Sequence, residues 1–220
     1  MANLFFLIRK SPWTRFMNDM RTATLICFLL LTRLFVHAQQ ADKTLLVICN
    51  TTQHADYLSD DEKRVILYLN LARAYPEEFS KYYLPESAEK LKQTSGAAYH
   101  SLLKELKGQK SLPLLVPSKD LWQIAKAHAV DMGMSGKTGH TSSKGKTFGQ
   151  RSAGLDVKKA ENCDYGNSDP LLIVSDLLID DRVASLGHRK TILTPDFKQC
   201  GVSIQPHKKY KVNCVMDLIP

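Results

Sequence analysis

The stretch GHRKTILTPDFKQCGVSI, residues 187–204, changes character in its middle, and that change sets the reading of the chain. Its first part sets a glycine, an imidazole and two cations ahead of Ile192 and Leu193. A sharp turn at Gly187 then presents His188, while the apolar pair anchors the segment in a core. Pro195 ends that pattern. Beyond Cys200 the sequence reads as a strand, a turn at Pro206 to Lys209 and a returning strand that carries Cys214.

Helical patterns precede this hairpin. In SDDEKRVILYLNLARAYPEEF, residues 59–79, Ser59 and Glu62 have the spacing of a capping box. Val65, Ile66, Leu69 and Ala72 follow on one helical face, and Pro76 marks the end. Residues 86–111 predict a second, lysine-rich helix with Leu102, Leu103 and Leu106 as its apolar face. Ser118 caps a third, whose stripe runs Leu121, Ile124, Ala125, His128, Ala129 and Met132 and stops at Gly136. Asp169 followed by Pro170 opens a fourth, through Leu171, Val174, Leu177 and Leu178. Between the last two helices, residues 136–167 are rich in Gly, Ser, Thr and Lys, and a connection of that length reads as either functional or disordered.

The 220 residues suffice for one domain with a core. Arg21, the apolar run Leu25 to Leu31 and the sequence VHA ending at Ala38 predict an export signal over residues 1–38, with the natural start at Met17 or Met20. Residues 39–58 then form a lead-in and 59–220 the domain. Arg33 interrupts the apolar run well short of the ~20 residues a membrane anchor needs, so membrane contact is expected only through the signal. The full chain carries a formal charge of +8; without residues 1–38 it retains 25 basic and 21 acidic side chains. That balance, with lysines in isolated pairs, gives no support to nucleic-acid binding. Export also exposes the cysteines to oxidation. Folding the hairpin about position 207 sets Cys200 opposite Cys214, which predicts a disulfide there and, by elimination, a second between Cys49 and Cys163. Asn50-Thr51-Thr52 is a glycosylation sequon.

Several short motifs fail on inspection. SGKT at 135–138 has Asp131 where a phosphate-binding loop needs glycine; Gly145 breaks the helix that would aim Ser143 and Lys146 together; Ser152 is misplaced for a nucleophile elbow. His128 falls on an apolar stripe and reads as a core histidine. What remains is His140, Glu161, Asp180 or Asp181, and His188. The two aspartates sit at a helix C-terminus, where negative charge costs up to ~1 kcal/mol. Such local violations mark a site or a compensated ion pair. By type, two imidazoles and two carboxylates suit Zn²⁺.

At these residues the chain resembles the CAP superfamily: cysteine-rich secretory proteins, antigen five and pathogenesis-related group one proteins. The resemblance runs from RVILYLNLARAYPEEF through LLVPSKDLWQIAKAHAVDMGMSGKTGHTSSKGKTFGQRSAG, AENCDYG and GHRKTILTPDFKQCGVSI to VMDL, and its style is that of the bacterial branch. It implies an α+β fold, a three-layer α-β-α sandwich, with a central cleft in which a His-Glu-Glu-His set holds a divalent metal. The matching positions are His140, Glu161, Asp180 (with Asp181 second) and His188. Alanine replaces the glycine before Glu161, and aspartate replaces the second glutamate, which shortens the reach to a metal by one methylene and points to a water-bridged or outer role. Arg189 is expected to tie its segment to a nearby carbonyl or carboxylate, and Gln150 and Arg151 to line or brace the loop.

The resemblance thus implies a secreted or periplasmic binding module for an extracellular ligand of lipid, peptide or glycan type, with a cleft able to hold a divalent cation such as Zn²⁺. The alternative it leaves open is a metal-assisted hydrolase in which Glu161 is the general base. A third reading has the polar set only satisfying buried backbone.

Overall fold

Ser59 opens helix α1 (Asp60–Ala74) through a complete capping box: its hydroxyl accepts from the Glu62 N–H and the Glu62 carboxylate accepts from the Ser59 N–H. The second Glu62 oxygen accepts from the Ile204 N–H at 3.0 Å, so the cap also ties the helix to the sheet. The computed structural model describes residues 43–220, and the expected export signal at 1–38 lies outside them. Leu46–Pro220 forms one compact unit. Among the described residues no helix is long and apolar enough to cross a membrane.

Pro76 both ends α1 and starts α2 (Pro76–Tyr82). The single helix expected over 86–111 is two: α3 (Leu84–Lys90) and α4 (Ala97–Gly108). Lys92 adopts a left-handed φ of 58° between them and Gly96 caps the second, a break that apolar spacing alone does not signal. α5 (Lys119–Ser135) follows its predicted limits, with Ser118 capping the Leu121 N–H and Gly136 left-handed at φ 71°. The short α6 (Phe148–Arg151), α7 (Pro170–Ile179) and α8 (Gly187–Ile192) follow, and residues 43–49, ahead of α1, are helical as well.

Four strands, β1 (Val116–Pro117), β2 (Ala160–Tyr165), β3 (Gln199–His207) and β4 (Lys211–Ile219), form one sheet in the order β1-β3-β4-β2. β1 lies parallel to β3; the other pairs are antiparallel. Alternation along the strands assigns the two faces. Cys163 and Val215 cluster with Ala125 and Ala129 of α5 on one face. A Cβ on Gly201 would lie 2.2 Å from the backbone of Leu121 and Trp122, so only glycine lets α5 approach this closely. The opposite face carries Asn162, Val202, Ile204 and Met216 and is covered by α1, α7 and α8. The α+β fold is therefore a three-layer α-β-α sandwich.

Polar staples fix these layers. Arg73 is fully buried and donates to the carbonyls of Pro113, Ile192, Thr194 and Phe197. Asn70 accepts from the Leu115 N–H at 2.7 Å and donates to the carbonyls of Cys49 and Leu115. Residues 46–58, read from sequence as a lead-in, are thus packed into the unit, with Cys49, Thr52, Ala55 and Leu58 buried.

The expected disulfides do not form: Cys49, Cys163, Cys200 and Cys214 are free buried thiols. The hairpin turns two residues later than the sequence predicts, between His207 and Lys211, which pair, with Lys211 at φ 70°. Cys200 therefore faces Leu218, and Cys214 faces Ile204. The two thiols are four positions, ~14 Å, out of register. Cys163, paired with Val215, lies on the other face of the sheet from Cys214.

Candidate functional site

β2 is an edge strand, and the candidate site forms over that edge from both faces of the sheet. On the α5 side, the chain leaves Gly136 and is clamped at Gly139. The His128 Nε2–H donates to the Gly139 carbonyl at 2.9 Å, and the Gly139 N–H donates to the Tyr165 hydroxyl at 2.8 Å. Gly139 itself has φ 101°, a conformation other residues rarely adopt. Asp131 holds the loop further on by accepting from the Ser143 N–H at 2.6 Å. This double clamp delivers His140 to β2, where its Nδ1 lies 3.0 Å from Glu161 Oε1.

On the other side, α7 ends at Ile179 and Asp180 takes a left-handed φ of 57°. Its carboxylate, 4 % exposed, accepts from the His188 N–H at 3.0 Å and from the Arg189 N–H, the first free donors of α8. The other oxygen meets His188 Nδ1 at 2.8 Å. The misplaced charge at a helix end is thus compensated by the start of the next helix. Asn162 Nδ2, on this face of β2, donates to the His188 carbonyl at 3.1 Å. The two imidazole rings stand 6.5 Å apart between centroids, tilted by 41°.

His140, Asp180 and His188 line one open cleft of about 650 Å³, whose walls also include Cys163, Asp164, Tyr165, Asp176, Asp181 and Arg182. Glu161 lies beneath His140, its side chain only 1 % exposed. Asp181 is exposed at the rim beside Gly96. Arg189 is a brace: 1 % exposed, it reaches the carbonyls of Leu178, Ile179 and Ala98, the Ser101 hydroxyl and Glu105. Gln150 closes a capping box with Thr147 at the start of α6 and lines a separate hollow, not the cleft. Arg151 donates to Glu161 Oε2 at 2.6 Å and to the His140 carbonyl at 3.1 Å.

Charge under the cleft is arranged by these contacts. Burial acts to raise the Glu161 pKa, but the hydrogen bonds from His140 and Arg151 outweigh it and hold the carboxyl below its ordinary range. Asp217 sits directly across from Glu161 in the β2–β4 register and is fully buried. Burial, and then the Glu161 charge, push Asp217 well up, so of the two carboxyls Glu161 holds the negative charge. Burial likewise lowers His128 and raises the Cys163 thiol well above its usual range.

Sequence reasoning missed His128 and Cys163 as parts of this site. Donor atoms of His128, Glu161 and Cys163 lie within 4.8 Å of one another, a group that could hold a metal ion. Occupying it requires a thiolate at Cys163 and release of the Gly139 carbonyl by His128. The one sequence signal for His128 was an imidazole on an otherwise apolar stripe.

The profile of the cysteine-rich secretory protein family, CAP, matches residues 68–218. Among curated proteins none matches. Solved structures with detectable likeness include an extracellular SCP-domain protein of Bacillus anthracis, 21% identical, covering 60% of this chain and 43% of its own, at TM-score 0.42. An outer surface protein of Borrelia burgdorferi is 18% identical over 61% of this chain and 92% of its own, at TM-score 0.40. Venom allergen-like protein 4 of Schistosoma mansoni is 14% identical over 74% and 90%, at TM-score 0.46. The chain spans less than half of the Bacillus protein. With the family profile covering the helices, the sheet and both histidine segments, the chain belongs to the cysteine-rich secretory protein (CAP) family.

Proposed function

We propose that this protein is an exported binding module whose cleft seats a divalent cation between His140 and His188. The supporting observation is that each ring meets a buried carboxylate at Nδ1, Glu161 at 3.0 Å and Asp180 at 2.8 Å, with the rings 6.5 Å apart. A carboxylate on Nδ1 fixes the tautomer and turns the Nε2 lone pair toward an ion. The donor set fits that arrangement: Asp180 and Glu161 orient the rings, and the aspartate is spent on His188 and the start of α8, which removes the need for a glutamate's longer reach. A bound ion would supply a Lewis-acid contact for a polar group of the ligand. Four aspartates on the cleft walls (Asp164, Asp176, Asp180 and Asp181) suit a peptide or glycan over a lipid tail.

The hydrolytic alternative gains nothing from the surroundings of Glu161. Arg151 at 2.6 Å and His140 at 3.0 Å occupy both carboxylate oxygens and weaken it as a base. Export is supported by the apolar run 25–31 and the VHA sequence that follows it.

Zn²⁺ titration by calorimetry tests the seat. The wild type and Cys163→Ser are expected to bind alike, and the His140→Ala/His188→Ala double variant at least 10-fold more weakly. Equal affinity in wild type and double variant overturns the reading. Loss on Cys163→Ser alone moves the ion to the buried His128, Glu161 and Cys163 group.

A further inference from the structure

β2 has a strand neighbour on one side only. Residues of β4 alternate between its two neighbours: the Ile219 carbonyl accepts from Lys198, on the β3 side, and the Val212 carbonyl accepts from Gly166, on the β2 side. Even-numbered residues of β4 therefore bond β2, and their partners in register are Ala160, Asn162 and Asp164. The backbone N–H and C=O groups of Glu161, Cys163 and Tyr165 turn the other way, and nothing among the described residues hydrogen-bonds them. Cys163, Asp164, Tyr165 and Gly166 run in succession along the cleft. Two bare donors and two bare acceptors at strand spacing thus line it, a template for one more strand. Neither lysine nor proline, the common guards of an open edge, occurs in β2.

We propose that the ligand of the cleft is an extended peptide, which pairs with β2 as a fifth strand of the sheet. This deepens the binding-module reading and rests on the cleft being the ligand site, not on a cation between the rings. A glycan carries no such regular alternation of donors and acceptors, so the edge selects a peptide. Residues directly opposed in a sheet share a face. The peptide residue opposite Asp164 therefore points to the α7 side, where half-buried Asp176 lies beside Asp164, both bonded to Asn167. Burial and then Asp176 push Asp164 up to about 8, so the pair shares a proton and keeps one negative charge. The peptide residues opposite Cys163 and Tyr165 point to the α5 side, toward the rings of Tyr165 and Tyr210, 5.8 Å apart. The preferred sequence is a basic residue between two aromatic or apolar ones.

Fluorescence polarisation of the full chain with a labelled pentapeptide, VYKYV, tests it, with chelator present so that no cation contributes. Two analogues carry N-methyl groups, one on the lysine nitrogen and one on both tyrosine nitrogens. A paired strand turns only alternate N–H groups toward its neighbour. One analogue is therefore expected to bind at least 10-fold more weakly and the other within 3-fold of the parent. Amide hydrogen exchange at Cys163 and Tyr165, followed by NMR, is expected to slow at least 10-fold with the parent peptide, which places it on β2 without any variant. Absence of binding at millimolar peptide, equal affinity or equal loss with the two analogues, or unchanged exchange at Cys163 and Tyr165 overturns the proposal. Failure of the histidine seat shows instead in the Zn²⁺ titration, so the two outcomes are separable.

Discussion

Replacing Asp164 by Asn is predicted to stabilise the protein at pH 7 while changing little at pH 4. Asp164 is 3 % exposed, and burial followed by the Asp176 charge raises its pKa from 3.8 to about 8. The protonated acid is the form that folds. Below 3.8 both folded and unfolded chains carry the proton, and its contribution is fully present. Between 3.8 and about 8 the unfolded chain releases the proton while the folded one keeps it, so stability falls as pH rises through that window and levels off above it. Each pH unit there costs at most ~1.4 kcal/mol, and the interval from pH 5 to 7 therefore ~3 kcal/mol. For a domain of this size that is ~6–12 °C in Tm. An asparagine amide can donate to Asp176 as the protonated acid does and accept from Asn167, with no proton to lose. Urea unfolding of both proteins at pH 5, 6 and 7 isolates the effect, because titrating groups outside the Asp164–Asp176 pair cancel in the difference. The gap is expected to widen by ~3 kcal/mol from pH 5 to pH 7 in favour of the variant. A gap that stays constant with pH refutes the argument.

Arg73→Met removes the donor from four carbonyls, those of Ile192 and Phe197 buried, and is expected to cost ~3–5 kcal/mol in urea unfolding; a cost under ~1 kcal/mol would show that those bonds are dispensable. Gly201→Ala drives a Cβ to 2.2 Å from the α5 backbone, which no rotamer relieves, and should cost ~3 kcal/mol, again read from the urea midpoint. Cys49, Cys163, Cys200 and Cys214 should all react with a thiol reagent in denatured, unreduced protein and stay silent in the native state, where burial pushes Cys49 to about 11 and Cys200 to about 12; two missing thiols on denaturation would restore a disulfide.

Helix starts were legible in the sequence because capping is local. Ser59, Ser118 and the Asp169-Pro170 pair each satisfy N–H groups within three residues, and no distant contact can change that. The hairpin register was not legible. Placing the turn two residues early moved every cross-strand pair by four and created a false Cys200–Cys214 partnership, because what sets the turn is the left-handed Lys211, a residue with no turn signature. The helix break at residues 91–96 was hidden for the same reason: Lys92 is left-handed without being glycine or asparagine.

His128 shows how a correct burial reading can still miss a role. The apolar stripe of α5 demanded a buried residue at that position, and the ring is 1 % exposed. Burial of an imidazole obliges it to find a partner, however, and the partner is the Gly139 carbonyl, one residue before His140. The same obligation acts on the other face, where Asn162 must be satisfied and donates to the His188 carbonyl. Adjacent residues of one edge strand, Glu161 and Asn162, point to opposite faces and hold the two histidine segments, one through its ring and one through its backbone. Neither contact is encoded by spacing along the chain. Both follow once β2 occupies the sheet edge, because only there can side chains from both faces reach a common opening without crossing another strand.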